Sequence, residues 1–189
     1  MSVQLQKRLF TVDEYYRMAE AGILSEDDRV ELIAGEIIKM SPIGSPHSGC
    51  VNRLNRLFSA RLGDRTILSI QNPVRLNERT EPQPDIALLI PRTDFYSQRH
   101  PQAEEVLLII EVSDTTIEYD REVEIPLYAA AGIVEVWIVS LAEELIEVYR
   151  QPLANNYAEV RQFRRGENVA PLSFSDVVLS VNEVLGRSQ

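Results

Sequence analysis

Two carboxylates stand at the ends of apolar runs. In "EPQPDIALLI" (residues 81–90) Asp85 closes a polar, proline-punctuated loop and opens a run of apolar residues. In "VLLIIEVSDTT" Glu111 comes near the end of a run of Val, Leu and Ile that begins at Val106. Side chains alternate across a strand, so carboxylates at the ends of neighbouring strands can converge on one pocket. Mg²⁺ and Mn²⁺ prefer oxygen ligands, and Mg²⁺ keeps several waters while taking one or two carboxylates. Asp85 and Glu111, with a backbone carbonyl such as that of Val112, compose such a donor set. A metal there would act as a Lewis acid on a phosphoryl oxygen and lower the pKa of a bound water. The same residues also read as solvated strand ends, and in a chain with 29 acidic residues the pattern by itself favours that reading.

The elements that must position these groups follow from periodicity and punctuation. "TVDEYYRMAEAG" predicts a short helix, with Thr11 as N-cap, Glu14 at capping-box spacing and Gly22 as the stop. "VELIAGEIIKMS" predicts a hairpin turning at Ala34-Gly35. "SPHSGCVNRLNRLFSARLG" predicts a helix with Pro46 in its first turn and Cys50, Leu54, Leu57 and Phe58 at helical spacing. Strands are expected at "TILSIQ", "VRLN", "PDIALLI" and "VLLIIEVS". "IEYDREVEIPLYAAAG" is helical in pattern, with a kink or break at Pro126. "VEVWIVS" and "ELIEVYR" form a hairpin, and β-like sequence continues to about Leu185. This order predicts an α/β domain with a mixed sheet and helices packed on it.

Composition narrows the function classes. At 189 residues the chain is expected to form one domain, 1–189, with its core at about 10–185. One cysteine, Cys50, excludes an internal disulfide and suits a reducing cytoplasm, where Cys50 is inert packing. No apolar run approaches a membrane span, so a cytoplasmic protein without membrane association is expected. With 19 Lys+Arg against 29 Asp+Glu, the net charge of −10 argues against strong nonspecific affinity for nucleic acid, though not against a local basic groove. Lys7 and Lys39 are the only lysines.

The run "ELIAGEIIKMSP…H…QPDIALLI…LLIIEVSDTT…YDREVE…YAAAGIVEVWIV" resembles the Uma2 family, the DUF820 group, within the PD-(D/E)XK or restriction-endonuclease-like superfamily. The resemblance spans roughly residues 10 to 185 and rests on the order and spacing of motifs that are individually modest. It implies a restriction-endonuclease-like mixed β-sheet core flanked by α-helices. It also implies a metal-dependent endonuclease acting on DNA phosphodiester bonds, with Mg²⁺ or Mn²⁺ and no organic cofactor. Asp85 in "QPD" matches the motif aspartate, Glu111 in "EVS" the following acidic residue, and Glu31 in "VELIAGE" an upstream glutamate common in such nucleases. His47 also matches a family position, although a capping or solvent-facing histidine fits equally well. Related nucleases often pair to cut two strands, which makes a homodimer the expectation.

The lysine of the superfamily pattern is missing. Its first position holds Ser113. In the variant where it migrates to the next helix as "D…K…Y", Asp120 and Tyr128 match while Glu124 stands where the lysine belongs. Ser140 replaces an aspartate usual in the family. A lysine there would stabilise developing charge at the scissile phosphate. Glu124 cannot, but with Asp120 it could hold a second metal if the helix is continuous. Arg121 could lend charge without exchanging a proton, and Lys39 is another surrogate. Arg53, Arg56, Arg61 and Arg65 read as a solvated helix face before a phosphate contact, as do Arg161, Arg164 and Arg165. Trp137 reads as core or dimer interface. Two functions therefore remain: a metal-dependent endonuclease using Glu31, Asp85 and Glu111, or a weakened or inactive nuclease-fold module that binds metal or nucleic acid.

Overall fold

Thr11 and Glu14 begin the first helix as their spacing predicts. The Glu14 amide donates to the Thr11 hydroxyl at 3.2 Å, and the Thr11 amide to the Glu14 carboxylate at 3.0 Å. Helix α1 (Val12–Glu20) follows in this computed structural model, which describes residues 6–25 and 27–186. Two tyrosines fasten α1 to what comes next: Tyr15 donates to the Val30 carbonyl at 3.0 Å and Tyr16 to Glu81 Oε1 at 2.5 Å. Strands β1 (Val30–Ile33) and β2 (Glu36–Lys39) form the expected hairpin, with Ala34 and Gly35 at φ of 49° and 80°. Glycine is needed at 35 for a second reason, because a Cβ there would lie 2.8 Å from that of Leu9.

Helix α2 (Ser45–Leu62) buries Cys50, Leu54, Phe58 and Leu62, a stripe at four-residue spacing that faces the sheet. Six strands make that sheet, in the order β3-β4-β5-β6-β7-β8: β3 (Ile67–Ile70), β4 (Ile86–Leu89), β5 (Val106–Ser113), β6 (Glu135–Ser140), β7 (Leu145–Leu153) and β8 (Asn156–Arg164). Every neighbouring pair is antiparallel except β5 and β6. Those two run parallel because the helical segment between them carries the chain back across the sheet. A small ribbon of β9 (Asn168–Val169) and β10 (Leu179–Ser180) leads into α5 (Val181–Leu185). One sheet face packs Ile110, Trp137, Val139 and Val148 with residues of α2 and α5. The other packs Ile109, Val136 and Ile138 with residues of the helical segment. This is the mixed sheet with flanking helices that the sequence predicts.

Three local readings are corrected. "VRLN" forms no strand, only single bridges from Arg75 to Gln102 and from Asn77 to Thr80, because the chain turns back on itself at residues 77–80. The C-terminal stretch is β-like only to Ser180. Ser180 and Glu183 then form a capping box that starts α5. The segment around Pro126 does not break, and its irregularity falls just before the proline. It runs as α3 (Ile117–Tyr119), a π-helical turn (Asp120–Glu124) and α4 (Ile125–Ala130). Proline has no N–H for the carbonyl four residues back and its ring crowds that carbonyl. The helix widens just before it, and the Ile125 amide reaches the Asp120 carbonyl five residues back. Among the described residues no helix is long and apolar enough to cross a membrane.

Candidate active site

Asp85 lies immediately before β4, where its backbone still pairs: the Gln71 amide donates to the Asp85 carbonyl at 3.1 Å. Its carboxylate is held from three directions. The Val112 amide donates to Oδ2 at 2.9 Å, Gln71 Nε2 donates to Oδ1 at 3.1 Å, and His47 Nε2 lies 2.8 Å from Oδ2. The Asp85 amide in turn donates to Glu111 Oε2 at 3.0 Å. Each carboxylate therefore braces the backbone of the other's segment, and the ends of β4 and β5 are cross-tied through the two acids. Tyr128, fully buried behind the site on α4, donates to Glu111 Oε1 at 2.6 Å.

These groups open onto a cavity of about 520 Å³ whose wall includes Glu31, His47, Asp85, Glu111, Val112, Asp120 and Glu124. Glu31 comes from β1, where α1 and the hairpin hold it. It is buried and accepts from the Gln83 amide at 3.2 Å. Asp85, Glu111 and Glu31 thus share one cavity. His47 faces it from the first turn of α2, bonded to Asp85 rather than turned to solvent. Among the described residues, its Nδ1 is buried without a hydrogen-bond partner, and the Tyr119 hydroxyl is buried beside Glu31 without completing a hydrogen bond.

Acids gathered away from water resist ionising. Burial pushes Glu31 up, with the Gln83 amide and Tyr119 opposing. Burial, then the charge of Asp85, raises Asp120 to about 6, against hydrogen bonding from Ser113 and Thr116. Glu111 and Glu124 are both pushed well up, by burial first and then by neighbouring carboxylates. Glu111 receives a donor at each of its oxygens, which favours its charged form. Glu124, half-buried on the cavity wall, accepts no hydrogen bond among the described residues, so it has less support for a charge than Glu111. His47 is raised for a different reason: its bond to Asp85 favours the imidazolium, with burial opposing.

Several expected residues fall elsewhere. Arg121 points out of the site. Its guanidinium donates to Glu147 at 2.8 and 3.0 Å and to Glu143 at 2.9 and 3.2 Å, so it cannot substitute for the missing lysine. Ser113 is buried off the cavity wall, 3.4 Å from the Thr116 hydroxyl. Arg53 and Arg61 bind the C-terminal segment, Arg53 at the Val184 and Leu185 carbonyls and Arg61 at the Val178 carbonyl and Glu183. Arg65 pairs with Asp176 and Arg165 with Glu144. Trp137 is fully buried core. The cations that line the cavity are Arg29 and Lys39 of the hairpin. Lys39, named from the sequence, lies on that wall, and Arg29, Gln71, Gln83 and Tyr119 lie on it without having been named. Only Gln83, inside "QPD", carried a signal.

Among the described residues no three His, Cys, Asp or Glu side chains are grouped closely enough to cage a metal ion. The donor set nevertheless fits a hard divalent cation in kind. It is made of oxygens, and it concentrates carboxylates whose charge is suppressed by burial.

The sequence matches the Uma2 family model, described as "Putative restriction endonuclease", over residues 12–182. No curated protein matches the chain. Among solved structures, one from Anabaena variabilis, described as a putative nuclease belonging to DUF820, superposes with a TM-score of 0.74 at 19% identity. The match covers 93% of this chain and 97% of that one. At that identity the likeness speaks to the fold.

Proposed function

The chain belongs to the Uma2 family, and from that premise we propose that it is a divalent-metal-dependent endonuclease that hydrolyses DNA phosphodiester bonds in the cavity between the hairpin and the end of the sheet. The observation that carries this reading is the cross-tie of Asp85 and Glu111 at the ends of two strands, with Glu31 and Glu124 on the same wall. Asp85, Glu111 and the Val112 carbonyl would hold Mg²⁺ or Mn²⁺. Bound there, the metal supplies Lewis acidity toward a phosphoryl oxygen and a bound water of lowered pKa.

The chain's own residues do the rest. Tyr128 orients Glu111 by its 2.6 Å hydrogen bond, and Gln71 and the Val112 amide orient Asp85. Glu31, its basicity raised by burial, accepts a proton from a water on the cavity side. Lys39 and Arg29 meet the phosphate, taking the electrostatic part of the absent motif lysine. His47, whose bond to Asp85 favours the imidazolium, would protonate the leaving oxygen.

Mn²⁺ titration calorimetry, followed by plasmid nicking with and without EDTA, tests the reading. The expected result is a binding isotherm lost in Asp85→Asn, EDTA-sensitive nicking, and weaker nicking in Lys39→Ala. Absence of both binding and nicking would overturn it. A second reading has its own support: Glu124 leaves the migrated-lysine position without a cation, and the net charge of −10 opposes phosphate approach. Mn²⁺ binding without nicking would identify a metal-binding module that has lost the chemistry.

A further inference from the structure

Strand β8 closes one side of the sheet. It pairs with β7, and among the described residues no strand covers its outer edge. It is nine residues long, against four for β3 at the opposite side. Within it Ala158, Val160, Arg161 and Gln162 are exposed, Val160 at 49%. An uncovered edge of this length, free of proline and lysine, is a template for another strand. The sequence of the edge is also complementary to itself. In an antiparallel pairing centred on Val160, Val160 meets its own copy and Glu159 meets Arg161 in both directions, while Ala158 meets Gln162.

We propose that β8 is the self-association edge of this protein, and that two copies pair it antiparallel about a two-fold axis through Val160, continuing one sheet into the other. Glu159 and Arg161 lie on the same side of the strand and already pair within one chain at 2.7 Å. In the dimer the two acids and two bases of both copies alternate on that side. Opposite charges directly across a strand pair stabilise it and like charges oppose it. The occupant is therefore a second copy, since the order Glu-Val-Arg read in reverse presents the matching charges at each position. Such a pairing is isologous, which lets it close as a dimer. The inference stands independently of the nuclease reading.

Analytical ultracentrifugation of the full chain from micromolar to submillimolar concentration tests it. The wild-type protein should dimerise. Arg161→Glu, which sets four carboxylates together, should raise the dissociation constant on the order of tenfold. The swap Glu159→Arg/Arg161→Glu restores the complementary order and should restore the dimer. Thermal melts check that each variant is folded. Amide hydrogen exchange on the wild type gives a readout free of any substitution: β8 amides should gain protection as concentration rises. A monomeric wild type, an Arg161→Glu variant that dimerises normally, a folded swap that stays monomeric, or β8 exchange independent of concentration would each overturn the proposal.

Discussion

Replacing Glu124 with glutamine should make the metal-free protein more stable at neutral pH. Glu124 stands half-buried on the cavity wall, with Asp120, Glu31 and Asp85 contributing to its raised pKa and no hydrogen-bonding donor to compensate. Because its folded pKa lies above the ordinary value of 4.5, the native state keeps a proton that the unfolded chain releases. Stability is then highest below about pH 4.5 as far as this group is concerned, and it falls as pH rises toward the folded pKa. The slope is at most about 1.4 kcal/mol per pH unit for one group. Glutamine fills the same space, carries no titrating proton and removes that slope. One pH unit of removed slope corresponds to roughly 3–6 °C in Tm for a chain of this size. Thermal melts at half-unit steps from pH 5 to 8, in EDTA, should show the wild-type Tm falling with pH more steeply than that of Glu124→Gln. Glu111 keeps part of the slope in both proteins, because it is pushed up mainly by its own burial. Mn²⁺ should lift the wild type most at high pH, where the carboxylates are ready to ionise. Parallel pH curves for the two proteins would refute the assignment of the proton to Glu124.

Asp85→Ala and Asp85→Asn should both lose Mn²⁺ binding but differ in stability by about 1–3 kcal/mol in urea melts. Alanine strands the Val112 amide and His47, whereas asparagine keeps an acceptor for the amide. Glu124→Lys should raise plasmid nicking by placing a cation on the cavity wall. If Glu124 instead holds a second metal, nicking and Mn²⁺ affinity both fall, and no change in either assay places residue 124 outside the site. Away from the cavity, Glu105 is held down to about 2 by Arg99 and the Gln102 amide, helped by Arg92. Its depressed pKa contributes stability above about pH 4.5 that is lost as pH falls toward 2, so Glu105→Gln should flatten the acid limb of the stability curve.

How much of this was legible in the sequence depends on what holds each residue. Asp85 and Glu111 stand out because a carboxylate beside an apolar run interrupts a pattern, and α1 and α2 carry their caps and stripes in plain view. The Ser180–Glu183 capping box was equally readable, but it lies in β-rich sequence whose propensity masks a helix of five residues. Gln71 had no signal. It reaches Asp85 only because of the β3–β4 register and its own left-handed backbone, at φ of 51°. Arg121 shows the opposite failure: its neighbour Asp120 lines the cavity, and nothing in the sequence says that Glu143 and Glu147 wait on the other side. His47 could be placed only once the first turn of α2 was seen to meet the end of β4.

The wide turn before Pro126 gives this helix a length tolerance that an ordinary helix lacks. An α-helix advances about 100° per residue, so losing one residue between Asp120 and Glu124 would let the turn relax to the tighter winding. Everything from α4 onward, including Tyr128 behind Glu111, would keep its seat on the sheet. Tyr119 and Asp120 would keep their phase as well, because a wide turn and an ordinary one that is a residue shorter cover nearly the same angle. The spare residue is thus slack stored in the helix between two parts of one site. It adds a side chain to the segment beside Glu124 without moving the parts that hold Glu111 and line the cavity.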